Sequence, residues 1–279
     1  LFQGMNLGNG EEGLITYMRT DSTALSSESL NEIGNFIQNS YGDDYFAQRK
    51  YKTTSANAQE AHEAIRPTSI NRTPESIKSF LDDDQYKLYD LIWKRTVSSQ
   101  MSESENKKTT IITISSDEKY KFKSDYDELV FDGFKKLFPE KETEKMPNVS
   151  ENDLVNLESI VKEQKFTQHP PRYSEASLIK TMEDLGVGRP STYASILNTI
   201  KEKKYVWVIN RSIYLSPIGN VLVEEIKKDF SKEFMDYKFT EKMENDLDSI
   251  SNGNLKRSEF VKSFWKNFEP IKKNFEKRS

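Results

Sequence analysis

Residues 173–215 carry two short amphipathic helix patterns, a glycine- and proline-bearing break between them, and a strand–turn–strand pattern behind them; few folds accommodate that order. Ser174 stands as a cap before Glu175, and Ala176, Leu178, Ile179, Met182 and Leu185 are apolar positions that recur at helical spacing. Gly186-Val-Gly-Arg-Pro is a tight break. Ser191 then opens a second helix at Thr192, with Ala194, Ile196, Leu197 and Ile200 on one face and Lys201-Glu-Lys-Lys at its end. Tyr205-Val-Trp-Val-Ile, the turn Asn210-Arg211 and Ser212-Ile-Tyr-Leu read as a short hairpin.

Helix, turn, helix and hairpin make a winged-helix arrangement, and the second helix of such a unit commonly docks on nucleic acid. Overall charge argues the other way. The chain has a net charge of −4 and a pI of about 5.6, whereas phosphate neutralisation usually demands a basic face. Counted locally the objection weakens, because residues 166–211 hold seven Lys or Arg against four Asp or Glu. An acidic total can coexist with a basic groove.

The 279 residues suffice for one to three domains. No apolar run is long enough for a membrane helix, so no membrane partner is expected. The absence of cysteine removes disulfides, thiolate zinc sites and cysteine nucleophiles and is compatible with a cytoplasmic protein; with only two histidines a histidine-rich metal site is not expected.

Upstream the texture changes twice. Helical spacing begins at Ser26, with Ser27 as the cap, Glu28 in the first turn and Leu30, Ile33, Phe36 and Ile37 forming a stripe. Residues 58–67, Ala-Gln-Glu-Ala-His-Glu-Ala-Ile-Arg-Pro, would place His62 and Arg66 on one face if helical, with Pro67 ending the element. Residues 73–101 read as one or two helices, and Asp82-Asp-Asp as a solvated charge run. From Thr109 onward, Thr-Thr-Ile-Ile-Thr-Ile, Tyr120-Lys-Phe-Lys, Leu129-Val-Phe and Leu154-Val-Asn-Leu-Glu-Ser-Ile-Val read as strands of a small antiparallel sheet. The predicted organisation is α+β and multidomain: helical over 5–102, β-rich over 103–165 and winged-helix-like over 166–279. Residues 1–4, Leu-Phe-Gln-Gly, resemble the remnant of a viral 3C protease site and are expected to lie outside the fold.

Chemistry concentrates in residues 14–23, Leu-Ile-Thr-Tyr-Met-Arg-Thr-Asp-Ser-Thr. Tyr17 is followed by Arg19, a guanidinium able to stabilise a phenolate and the charge growing on a phosphate, and by Asp21. Local chemistry alone also admits a half-buried tyrosine beside a surface ion pair. The run resembles the nucleophile motif of bacterial type IA DNA topoisomerase I, and the Gly-rich segment before Gly13 resembles the connection that precedes that motif in Gram-positive-type relatives. Three further blocks resemble the same family in order: residues 58–67, residues 173–195, and Phe239-Thr-Glu-Lys-Met-Glu-Asn-Asp-Leu-Asp-Ser-Ile.

The resemblance implies a topoisomerase core fragment with a helical nucleophile domain, a partial β gate domain and a partial winged-helix-like domain. It implies Tyr17 as the nucleophile that takes a 5′ phosphate, with Arg19 as the stabilising cation and Asp21 orienting Arg19 or capping the next turn. Arg19 could instead only pair with Asp21. His62 would join the hydrogen-bond network around a bound phosphate, against the alternative of a satisfied core histidine. Arg189 and Thr192 would receive a DNA phosphate at the start of the second helix, and Lys203 would be a basic DNA contact or a solvated helix end. The cofactor implied is Mg2+, held in the intact family by an N-terminal toprim domain whose acidic motif this chain lacks, so no metal ligands are expected here. Implied partners are single-stranded or underwound DNA and that toprim domain, with nucleoid-associated cytoplasmic localisation. Gate strands contributed from upstream would leave an edge that favours self-association. The rival class is a winged-helix regulatory protein in which Tyr17 is structural.

Overall fold

The computed structural model describes all residues except 9, 52–61, 140–144, 231–234 and 279. The chain divides into two compact units, Leu1–Val161 and Lys162–Ser279. The β-rich segment does not separate from the helical one because its end is built into the same core. Leu137, in the 3₁₀ turn Gly133–Leu137, packs in one cluster with Leu14, Ile33, Tyr89 and Trp93. The Phe134 N–H also donates to the Ser102 carbonyl (2.9 Å).

In the first unit, β1 (Met5–Asn6) pairs antiparallel with β2 (Glu11–Glu12), and α1 (Ser27–Tyr41) follows the motif loop. The α1 cap is Ser26, one residue earlier than expected, with its hydroxyl accepting from the Ser29 N–H (3.2 Å). Leu30, Ile33 and Ile37 are buried as their spacing requires. A short α2 (Pro74–Ile77) leads to α3 (Asp83–Ser98). Asp82 is more than part of a solvated run: it forms a capping box with Gln85 and starts α3. From α3 the buried Trp93 indole donates to the Ile70 carbonyl (2.9 Å) and the Tyr89 hydroxyl to the Arg72 carbonyl (2.8 Å), which ties residues 70–72 to the helix. Burial pushes the Tyr89 phenol up to about 12, against the pull of the Arg72 charge, so it stays a neutral donor.

The hairpin β3 (Glu105–Ile114) and β4 (Lys121–Phe131) forms the second sheet, with Thr110 donating to Asp125 across it (2.6 Å). Residues 154–161, expected as a strand, pair with nothing among the described residues, and Leu154, Leu157 and Val161 are exposed. Strand-forming composition by itself does not make a strand. Residues 1–4 are not outside the fold: the Leu1 carbonyl accepts from the Leu14 N–H (2.7 Å), and Leu1 packs on the core.

The second unit has α4 (Glu175–Asp184), α5 (Tyr193–Glu202), the hairpin β5 (Val206–Ile209) with β6 (Ser212–Leu215), then α6 (Pro217–Phe230), α7 (Tyr237–Ser251) and α8 (Arg257–Arg278). Ser174 caps α4 as expected. Gly186 and Gly188 turn the chain at φ +66° and +84°, left-handed values that glycine takes without strain. Among the described residues no helix is long and apolar enough to cross a membrane.

Candidate functional site

The motif loop is held from both sides by backbone pairing. Ile15 bridges antiparallel to Pro67, the Thr16 N–H donates to the Arg66 carbonyl (2.9 Å), and the Thr68 N–H donates to the Leu14 carbonyl (3.0 Å). The Thr16 hydroxyl closes the join, donating to the Ala64 carbonyl (2.7 Å) and accepting from the Arg66 N–H (3.0 Å). Residues 62–66 are therefore not helical; their backbone groups are spent on the motif segment, 48 residues away in the case of Thr16 and Ala64. The start of the second block, residues 58–61, lies outside the described residues.

This pairing brings Tyr17 and His62 together, with ring centroids 5.1 Å apart, although His62 and Arg66 do not share a helical face. Phe2 meets the Tyr17 ring edge-on at 5.4 Å. Tyr17 itself remains 37% exposed, so the phenol is positioned by its neighbours yet open to a ligand. Arg19 is exposed, and among the described residues no ion pair joins it to Asp21. Arg19, two residues after Tyr17, therefore keeps its charge free of a salt bridge to Asp21 among the described residues.

Glu63 was missed by sequence reasoning, as were Thr16 and Phe2. Its carboxylate accepts from the Ser26 N–H (3.1 Å) at the start of α1 and from Arg66 Nε (2.7 Å), joining the helix to the loop that carries His62. Burial opposes its ionisation, but hydrogen bonds from Ser26 and Arg66 and the Arg66 charge outweigh that and hold the carboxyl below its ordinary range. The Glu-x-x-Arg spacing was the available signal, though its partner Ser26 could not be read from it.

In the second unit, Arg189 and Thr192 form a closed turn. The Arg189 N–H donates to the Thr192 hydroxyl (2.9 Å), which donates back to the Arg189 carbonyl (3.1 Å). The Arg189 guanidinium donates to the Gly188 carbonyl (2.8 Å) and pairs with Asp248 of α7 (2.8 Å), while its Nε is buried with no partner among the described residues. So the third and fourth blocks meet through this arginine. Its charge is engaged within the protein, which makes it a brace for the break and leaves Lys203, exposed at the end of α5, the freer cation. Replacing Arg189 with Ala is expected to lower the unit's stability by about 1.5–3 kcal/mol in urea unfolding, with Lys restoring only part. An unchanged midpoint in Arg189→Ala would contradict the brace. Among the described residues no three His, Asp or Glu side chains gather as a metal site.

The sequence profile described as DNA topoisomerase matches residues 1–262. The chain belongs to that family. Within it the similarity lies with the bacterial type IA topoisomerases. DNA topoisomerase 1 of Rickettsia conorii is 42% identical over 277 residues, covering 96% of this chain and 36% of the relative. DNA topoisomerase 1 of Xylella fastidiosa strain Temecula1 is 40% identical over 284 residues, covering 97% and 35%. The solved structure of full-length topoisomerase I from Thermotoga maritima superposes with a TM-score of 0.77 at 34% identity, covering 96% of this chain and 44% of that one. The chain therefore spans little more than a third of the curated topoisomerase relatives it matches. The topoisomerase match includes residues 1–4, in keeping with the contacts of Leu1 and Phe2.

Proposed function

We infer that this chain is the nucleophile-bearing and strand-binding part of a longer topoisomerase that relaxes negatively supercoiled DNA. The Tyr17 hydroxyl gives up its proton as its oxygen attacks a backbone phosphorus, the bond to the 3′ oxygen breaks, and that oxygen takes up a proton, leaving a 5′-phosphotyrosine and a 3′-hydroxyl. One phosphoester is exchanged for another, so the reverse attack reseals the strand without ATP after strand passage. Arg19 stabilises the charge on the phosphate oxygens, Asp21 supports Arg19 when the strand is bound, and His62 holds the phosphate side of Tyr17. Lys203 and the start of α5 meet DNA phosphate in a winged-helix-like unit, with Arg189 and Thr192 shaping that start.

The observation that carries this reading is the placement of Tyr17: exposed, backed by Phe2 and His62, on a loop locked through Thr16. A structural tyrosine, as a purely regulatory winged-helix protein would have, gains nothing from such an open position. Mg2+ in this family chemistry would neutralise charge near the cleaved phosphate. The toprim domain that the family resemblance implies would supply its acidic ligands. Among the described residues the β3–β4 hairpin is a two-stranded sheet, and its exposed Ile112, Phe122 and Val130 support self-association as a further property of the isolated chain.

Incubated alone with a single-stranded oligonucleotide and magnesium, the chain is expected to bind weakly and form no covalent complex on a denaturing gel. A denaturation-resistant adduct on this chain alone would overturn the assignment of the metal site to a missing domain.

A further inference from the structure

Resting on the DNA-binding reading of the second unit, we propose that the β5–β6 hairpin is a single-stranded DNA subsite in which a base stacks on Trp207. Residues 203–215 contain Lys203, Lys204 and Arg211 and no Asp or Glu. Elsewhere in the unit positive charge is interleaved with acids, and several cations are paired: Lys180 with Asp184, Lys201 with Glu175, Lys227 with Glu224 and Lys273 with Glu269. Among the described residues Lys203, Lys204 and Arg211 have no such acid, so this edge presents uncompensated positive charge. A polyanion is the chemistry it complements.

Backbone strain at the same edge points the same way. Asn210 and Arg211 form the two-residue turn at φ +48° and +64°, where Asn followed by Gly is the relaxed choice. Lys204, just past the end of α5, sits at φ +57°, again a position that suits glycine. Two left-handed positions, one before the hairpin and one in its turn, thus hold cations where glycine would fold more easily. The strain is understandable if the charges are used.

The aromatic residues supply the remaining part. Trp207 and Tyr214 are directly paired across the two strands, which puts both side chains on one face. Arg172 lies over the Tyr214 ring at 4.5 Å, and the Ile213 N–H donates to the Tyr173 carbonyl (2.7 Å), so the β6 side of the hairpin is covered. Trp207 is left 48% exposed, a rigid π-face on a hairpin that carries Lys203 and Lys204 before its first strand and Arg211 in its turn. Base stacking on an aromatic side chain with phosphates held by flanking cations is the usual mode of sequence-tolerant single-strand binding. A duplex, with its bases already stacked, offers Trp207 nothing.

The test titrates this chain against a dye-labelled oligothymidylate, an abasic strand of equal length and a duplex, following fluorescence anisotropy. Trp207→Ala is expected to weaken oligothymidylate binding about tenfold without changing the salt slope, and Trp207→Phe to recover most of it. On the abasic strand Trp207→Ala and the parent are expected to bind alike. Arg211→Gly, which relieves the strained turn and so keeps the hairpin folded, is expected to reduce the salt slope by about 0.7. Equal oligothymidylate affinity of Trp207→Ala and the parent overturns the stacking subsite alone, as does an equal loss on the abasic strand or tighter binding of the duplex. Failure of the parent to bind any strand would overturn it together with the DNA-binding reading.

Discussion

Truncating Trp93 to alanine is expected to cost the Leu1–Val161 unit about 3–5 kcal/mol, a large fraction of the roughly 5–15 kcal/mol that holds a domain together. Trp93 is 4% exposed, meets Phe36 edge-on at 5.4 Å, and donates its indole N–H to the Ile70 carbonyl. Alanine removes the ring, opens a cavity beside α1 and leaves a buried carbonyl without its donor. Trp93→Phe keeps a ring against Phe36 but still orphans Ile70, so an intermediate loss is expected. Urea unfolding should show the order parent, Phe, Ala in midpoint with little change in slope. Wild-type stability of Trp93→Ala would refute this account of the core. The consequence reaches the site, because Trp93 anchors the segment at Ile70 that continues from residues 64–68, and those residues hold Thr16 next to Tyr17.

Sequence and structure agree where the determining forces are local. The stripe of Leu30, Ile33 and Ile37 was legible because helical periodicity records burial directly, and the Ser174 cap, the glycine break and the Asn210-Arg211 turn were legible because each needs a particular residue type. Errors of one residue arose where neighbouring serines could both cap, as with Ser26 and Ser27. Larger departures came from long-range pairing. Residues 62–66 have a helix-compatible pattern, yet their backbone is claimed by Thr16 and Ala24, partners that local spacing does not reveal. For the same reason Phe2 and Glu63 escaped notice, as did the pairing of Arg189 with Asp248, which spans 59 residues. Residues 154–161 show the converse: a strand-like composition that pairs with no strand among the described residues.

Changing Tyr17 to phenylalanine in the longer topoisomerase removes one oxygen and little else. The ring keeps its contacts with Phe2 and His62, and no hydrogen bond to the hydroxyl among the described residues is lost, so fold and DNA affinity should persist. The chemistry should not: without the phenol no phosphotyrosine forms, and relaxation should fall by on the order of 10⁴-fold or more. The most direct measurement is to trap the covalent complex that the longer protein forms with a single-stranded oligonucleotide in magnesium, digest it, and locate the nucleotide by mass spectrometry. The expected result is a 5′-phosphate adduct on Tyr17, absent from Tyr17→Phe. An adduct on another residue, or undiminished relaxation by Tyr17→Phe, would contradict the assignment of Tyr17 as the nucleophile.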